Sequence, residues 1–310
     1  MRLQRLLCPV DLFEHSCLVF KYAKAIAAES GGRILLLTIM EPMLQASALV
    51  GESERLEHDL LADLEKLIDE VPPPPATRPE CRVRKGAPHA EIIATCRDEH
   101  CDVIVMGTHG RRGLGKMFLG STLERVLRET TVPVLAIPPR ASGLLSSVDA
   151  DCLAIQRVLA GVDFSHSSME AARMAASMAR QHGARLSLLH VITPPALRGG
   201  QAVIEEQHES RTMSASHELA LVADEFCREH IRATSSVVTG EPEEVIAEQA
   251  LEEPGTLVVL GLRETGSPVG ARPGAIAYRV LSLCRAPMMV VPASANHLRA
   301  KEAADERLPR

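Results

Sequence analysis

Aromatic side chains are almost missing from this chain: no Trp, two Tyr and five Phe in 310 residues. Its cores must therefore be built from Leu, Ile, Val, Ala and Met. The same scarcity argues against a stacking platform for single-stranded nucleic acid. An excess of basic charge is also absent, since the net charge is −6, so there is no electrostatic footprint for a polyanion. No apolar run approaches the ~20 residues needed to cross a bilayer. The start, Met1 to Asp11, is interrupted too soon by Pro9 and Asp11 to read as a secretory signal, and a cytoplasmic location is expected. The eight cysteines contain no Cys-x-x-Cys spacing. Cys96 and Cys101, which bracket His100, form the closest pair, and scattered reduced thiols are the simpler reading than a metal or redox site.

What the chain does contain is a repeat. Leu6-Leu7-Cys8-Pro9-Val10-Asp11 is echoed by Val158-Leu159-Ala160-Gly161-Val162-Asp163, and Lys85-Gly86-Ala87-Pro88 by Thr239-Gly240-Glu241-Pro242. Thr131-Val132-Pro133-Val134 returns as Arg285-Ala286-Pro287-Met288, and the separation stays between 152 and 154 residues throughout. A period this long means two duplicated domains, not a solenoid. The expected division is a first domain over 1–140, a second over 154–294 and a charged tail over 295–310. The polar, proline-led stretch from Pro138 to Asp151 reads as the linker.

Each half alternates strand and helix patterns. In the first, strands are expected at Arg5 to Val10, Arg33 to Met40, Cys81 to Arg84, Val103 to Met106 and Pro133 to Ile137. Helices are expected at Ser16 to Ala28, around Leu56 to Ile68, at Pro88 to His100 and at Leu123 to Glu129. The fourth and fifth strands are continuous apolar runs, the mark of parallel strands covered on both faces. The fold class is thus α/β: two tandem doubly wound α/β domains, each with a five-stranded parallel sheet. Ligands of such sheets sit beyond the carboxyl ends of the strands, at the switch point.

The chemistry is concentrated in one loop. Gly107-Thr108-His109-Gly110 follows the fourth strand, and Gly120-Ser121-Thr122 opens the next helix. A strand, a glycine-rich loop and a helix N-terminus together let backbone N–H groups close on a phosphate. Asp11 ends the first strand and Ile39 lies near the end of the second, which gives one acid and an apolar wall beside the loop. Asp11 reads equally as a turn or helix-cap residue. Arg111, Arg112 and Lys116 lie inside the loop, where they assist a phosphate or face solvent.

On these residues the chain resembles a tandem universal stress protein, over nearly all of both halves. The nucleotide-binding members carry Gly, two residues, Gly, nine residues, then Gly and Ser or Thr; the first copy matches with Gly107, Gly110, Gly120 and Ser121. The resemblance implies the adenine nucleotide alpha hydrolase-like fold. It implies that Pro9, Val10, Asp11, Ile39 and Met106 hold the nucleoside. Gly107, His109, Gly110, Gly120, Ser121 and Thr122 would hold the phosphates of ATP, with AMP or ADP as alternatives and Mg2+ on the phosphate oxygens. It further implies pairing of domains through their fifth strands as an internal pseudo-dimer, with a homodimer as a further expectation.

The second copy departs from this pattern. Gly261 and Gly274 are kept, but Glu264 stands for the second glycine and Ala275 for the serine. A carboxylate where phosphates should lie costs on the order of a few kcal/mol, about hundredfold in affinity. The second domain is therefore expected to bind ATP poorly. No Walker-type lysine motif, obvious general base or acid pair for metal catalysis is present. The leading expectation is a stress or signalling protein that binds ATP through its first domain and is not a dedicated enzyme. A slow ATPase and a nucleotide-free interaction module are the alternatives.

Overall fold

The structure is a computed structural model. It describes residues 3–41, 52–73, 78–108, 119–139, 141, 143–146, 152–194, 201–262 and 275–293. The chain divides into two compact units, one running to Ala154 and the other beginning at Ile155.

The first unit alternates β1 (Arg5–Pro9), α1 (Ser16–Ser30), β2 (Arg33–Met40), α2 (Glu52–Glu70), β3 (Glu80–Lys85), α3 (Pro88–Asp98), β4 (Val103–Gly107), α4 (Ser121–Glu129) and β5 (Val134–Ile137). All strand pairs are parallel, in the order β3-β2-β1-β4-β5. Leu6, Leu7, Cys8, Val103, Ile104 and Val105 are wholly buried, because β1 and β4 lie at the centre with both faces covered. Helices α1 and α2 pack on one another, as do α3 and α4. Helix α1 ends where the apolar pattern stops, at Gly31, whose φ of 67° is the left-handed cap an L side chain resists.

The second unit repeats the plan with β6 (Arg157–Gly161), α5 (His166–His182), β7 (Arg185–Ile192), α6 (Gln201–Arg228), β8 (Ala233–Thr239), α7 (Pro242–Glu252), β9 (Thr256–Leu262), α8 (Ala275–Leu283) and β10 (Met288–Pro292). Its order is β8-β7-β6-β9-β10, again parallel. The core of α5 is an alanine face, Ala171, Ala172, Ala175, Ala176 and Ala179, which brings the helix close to the sheet.

Two sequence expectations change. Helix α3 ends at Asp98, not His100, because His100 takes φ 50° and turns the chain out of the helix. The stretch after Pro138 is more than a polar tether. Ala141 and Leu144 are buried, and the Tyr22 hydroxyl donates to the Ala141 carbonyl at 2.7 Å. Leu145 and Leu153 form an antiparallel bridge, and the Leu153 N–H donates to Glu29 at 2.6 Å. Small residues and two leucines gave this segment apolar surface to bury, which its polar neighbours masked.

Candidate functional site

The order β3-β2-β1-β4-β5 reverses direction between β1 and β4, so the crevice falls at their carboxyl ends. Pro9 pairs with Leu37 and Leu7 with Ile104. Continuing those registers sets Asp11 level with Ile39 on one side and with Thr108 on the other. Pro9, Val10, Asp11, Ile39, Met106 and Gly107 thus share one sheet edge. Met106 and Val10 are buried, Ile39 and Gly107 half-buried and Asp11 exposed. Apolar groups therefore form the wall of the crevice, and the acid stands at its mouth.

Asp11 also serves the turn that leads into α1. Leu12 adopts φ 62°, and the Asp11 Oδ1 atom accepts the Phe13 N–H at 3.2 Å and the Ser16 hydroxyl at 3.1 Å. His15, at the helix cap, makes no side-chain cap bond; the carboxylate four residues upstream ties down the helix start instead. Both readings of Asp11 are therefore compatible. One oxygen fixes the turn, and among the described residues no hydrogen bond engages the other.

The base of the loop is closed by Thr108, which sequence reasoning left aside. Its N–H donates to the Ile137 carbonyl at 3.0 Å, and its own carbonyl accepts the Gly120 N–H at 2.8 Å. Thr108 is 1 % exposed. These two bonds bring the loop back to the end of β4, so the N-terminus of α4 opens at the same sheet edge. Gly120 is the cap residue and offers no side chain. Ser121 and Thr122 occupy the first turn, where N–H groups lack intrahelical acceptors and the helix dipole favours an anion. The only hint of the Thr108 role was its place between Gly107 and His109. His109, Gly110, Arg111, Arg112 and Lys116 lie outside the described residues.

The second unit makes the corresponding turn with different contents. Asp163 Oδ1 accepts the Ser165 N–H at 3.1 Å, and Phe164 takes φ 60° as Leu12 does. The Phe164 ring lies 4.9 Å from that of His190, and His190 Nδ1 lies 2.7 Å from the Val162 carbonyl. Because a carbonyl only accepts, that nitrogen carries the proton. An aromatic pair therefore stands beside the second acid, where the first unit has Leu12 and Thr38. The register of β7 against β6 brings His190 to Phe164.

Gly261 has a steric explanation. A Cβ there would stand 2.3 Å from the Ser167 carbonyl oxygen and 2.5 Å from its carbon. The end of β9 touches the first turn of α5 backbone to backbone, and only glycine allows this approach. Glu264 and Gly274 lie outside the described residues. Among the described residues no group of three or more His, Cys, Asp or Glu could hold a metal ion. Nor is any helix among them long and apolar enough to cross a membrane.

Comparison with known proteins bears on the family and the fold. The sequence model of the universal stress protein family matches residues 2–138 and again 154–292. A universal stress protein of Methanocaldococcus jannaschii is 24% identical over 161 residues, covering 45% of this chain and 97% of that one. One from Thermus aquaticus is 28% identical over 132 residues, 43% of this chain and 96% of that protein. A crystal structure of a universal stress protein from Archaeoglobus fulgidus superposes with a TM-score of 0.67 at 22% identity, covering 93% of this chain and 96% of that one. It shares the fold across both halves.

Proposed function

We propose that this chain, which belongs to the universal stress protein family, binds ATP in the crevice of its first domain, over 1–140, and acts in the cytoplasm in stress response or signalling. The observation that carries the reading is the Thr108–Gly120 closure, which opens the first turn of α4 beside Gly107 at the sheet edge that also holds Asp11 and Ile39. The second domain, over 154–294, serves regulation or assembly.

The residues fit a nucleotide. Val10, Ile39 and Met106 supply the apolar wall for a base, and the exposed oxygen of Asp11 accepts from the nucleoside hydroxyls or amine. Gly107, His109 and Gly110 on the loop, with Gly120, Ser121 and Thr122 at the start of α4, would hold the phosphates, helped by the helix dipole. The Ser121 hydroxyl would be available as an oxygen ligand to a Mg2+ ion, which would supply charge neutralisation at the phosphates. This is read as a binding site first, with any hydrolysis slow, because the sequence carries no Walker-type lysine motif. AMP and ADP would use the same base and first-phosphate contacts with fewer donors engaged.

In the second domain Glu264 opposes phosphates, Ala275 lacks the hydroxyl of Ser121, and Phe164 with His190 stands beside Asp163. The full chain therefore takes one equivalent of ATP. Isothermal titration of the full chain with ATP and Mg2+ tests this. Ser121→Ala removes one hydrogen bond, about 1 kcal/mol, which is about fivefold in Kd. Asp11→Ala weakens binding by about tenfold or more. No heat of binding, or unchanged affinity in both variants, refutes the nucleotide reading; a second equivalent refutes the account of the second domain.

A further inference from the structure

At the opposite edge of the first sheet, α3 ends in a cap that carries two thiols. The Cys101 N–H donates to the Cys96 carbonyl at 2.9 Å and the His100 N–H to the Arg97 carbonyl at 3.1 Å. With His100 at φ 50°, this is the Schellman arrangement, in which the last carbonyls of a helix accept from residues just past its end. That cap folds the residue after the turn back over the last helical turn, so the side chains of positions 96 and 101 meet. In most proteins the pair is apolar; here both members are cysteine. Both thiols are free, and they are 7% and 5% exposed. His100 and Asp98 beside them are exposed, so the pair lies one layer below the surface. The second domain, at the equivalent positions, has Ala250 and Gly255.

We propose that Cys96 and Cys101 form an oxidisable pair that closes to a disulfide across the α3 cap when the protein meets a peroxide. The backbone hydrogen bond between the two residues already imposes the short approach a disulfide needs, and closure spans a loop too short to require rearrangement elsewhere. The chemistry balances with hydrogen peroxide as oxidant. Cys96 sulfur attacks one peroxide oxygen, the O–O bond breaks, and the sulfur becomes a sulfenic acid while one water leaves. Cys101 sulfur displaces the hydroxyl of that sulfenic acid as a second water, and the S–S bond forms. Two thiols lose two electrons and two protons, and the peroxide is reduced. Donation from the Cys101 S–H holds the Cys96 thiol below its ordinary value, which favours Cys96 as the attacking sulfur. Burial pushes Cys8 and Cys284 up instead, which leaves them poor nucleophiles.

The full chain treated with hydrogen peroxide, unfolded in an alkylating agent and digested with trypsin gives the test. Cleavage after Arg97 separates the two cysteines, so a disulfide joins two tryptic peptides. The joined species should weigh two hydrogens less than their sum, be the main oxidised form, and vanish on reduction with dithiothreitol. Cys101→Ser should lose the joined species and leave Cys96 as a sulfenic acid trapped by dimedone. Cys96→Ala combined with Cys101→Ala, with folding checked by circular dichroism, should lose both. Full alkylation of Cys96 and Cys101 after peroxide overturns the proposal. So does their recovery as separate sulfinic acids, or pairing of either with another cysteine.

Discussion

Replacing Gly261 by alanine separates two reasons for a glycine to persist where its neighbours in the loop pattern have changed. The added methyl group would lie 2.3 Å from the Ser167 carbonyl oxygen, 2.5 Å from its carbon and 2.7 Å from the Ser168 nitrogen. Ordinary contact between such atoms needs about 1 Å more. None of the three is the tip of a flexible side chain; all belong to the first turn of α5. That turn cannot yield easily. Ser165 caps it by accepting the Ser168 N–H at 3.3 Å, and the Ser168 hydroxyl donates to the Ser165 carbonyl at 3.0 Å. Ser167 and Ser168 are themselves buried. The strand is held as well, since Gly261 pairs with Val291 within the β9–β10 ladder. Forcing a methyl group into packed backbone costs about 1–3 kcal/mol, and the rigidity on both sides sets the expectation at the upper end. For a domain of this size that lowers the melting temperature by about 5–10 °C. Differential scanning calorimetry of the full chain should show the loss in Gly261→Ala, while titration with ATP stays unchanged. Gly183→Ala is the control, since its Cβ meets nothing within 4 Å and only its φ of 62° is strained; it should cost about 1–2 kcal/mol. Undiminished stability of Gly261→Ala together with altered ATP affinity would refute the steric argument.

Two further outcomes follow from buried polar groups. Tyr22→Phe removes the bond to the Ala141 carbonyl, which should cost about 1 kcal/mol and speed limited proteolysis in the 139–151 stretch. Burial also pushes the Tyr22 hydroxyl above its ordinary value of ~10. Its contribution is therefore intact below about pH 10 and is lost as pH rises beyond it, so alkaline unfolding should be less pH-dependent in Tyr22→Phe. Arg157 is 4% exposed; it donates to the Gln249 carbonyl and the Ser187 hydroxyl, each at 3.2 Å, and faces Glu253 at 3.5 Å. Arg157→Met strands those acceptors and should destabilise the second unit by about 2–3 kcal/mol in urea unfolding, with ATP binding intact.

The strand and helix pattern of each half, the duplication and the apolar centre were legible in the residues, because period and punctuation are local. Gly31 and Gly183 ended helices where the apolar pattern ended. Pro9, Val10, Asp11, Ile39, Met106 and Gly107 could be gathered at one edge from sequence because parallel order places every strand end there. The Phe164–His190 contact was not legible, since it depends on the lateral register of β7 against β6 across 25 intervening residues. Nor was the role of Thr108, a single residue whose two backbone bonds reach β5 and the loop's far end.

By itself the sequence determined a duplicated α/β chain with one intact and one altered glycine pattern, because glycines, acids and apolar runs act over a few residues. Tertiary structure alone decided why Gly261 persists, what stands beside Asp163, and that the Cys101 N–H folds back onto the Cys96 carbonyl. Each of those depends on the distance between segments that meet only when helices pack on sheets or a helix end folds back on itself.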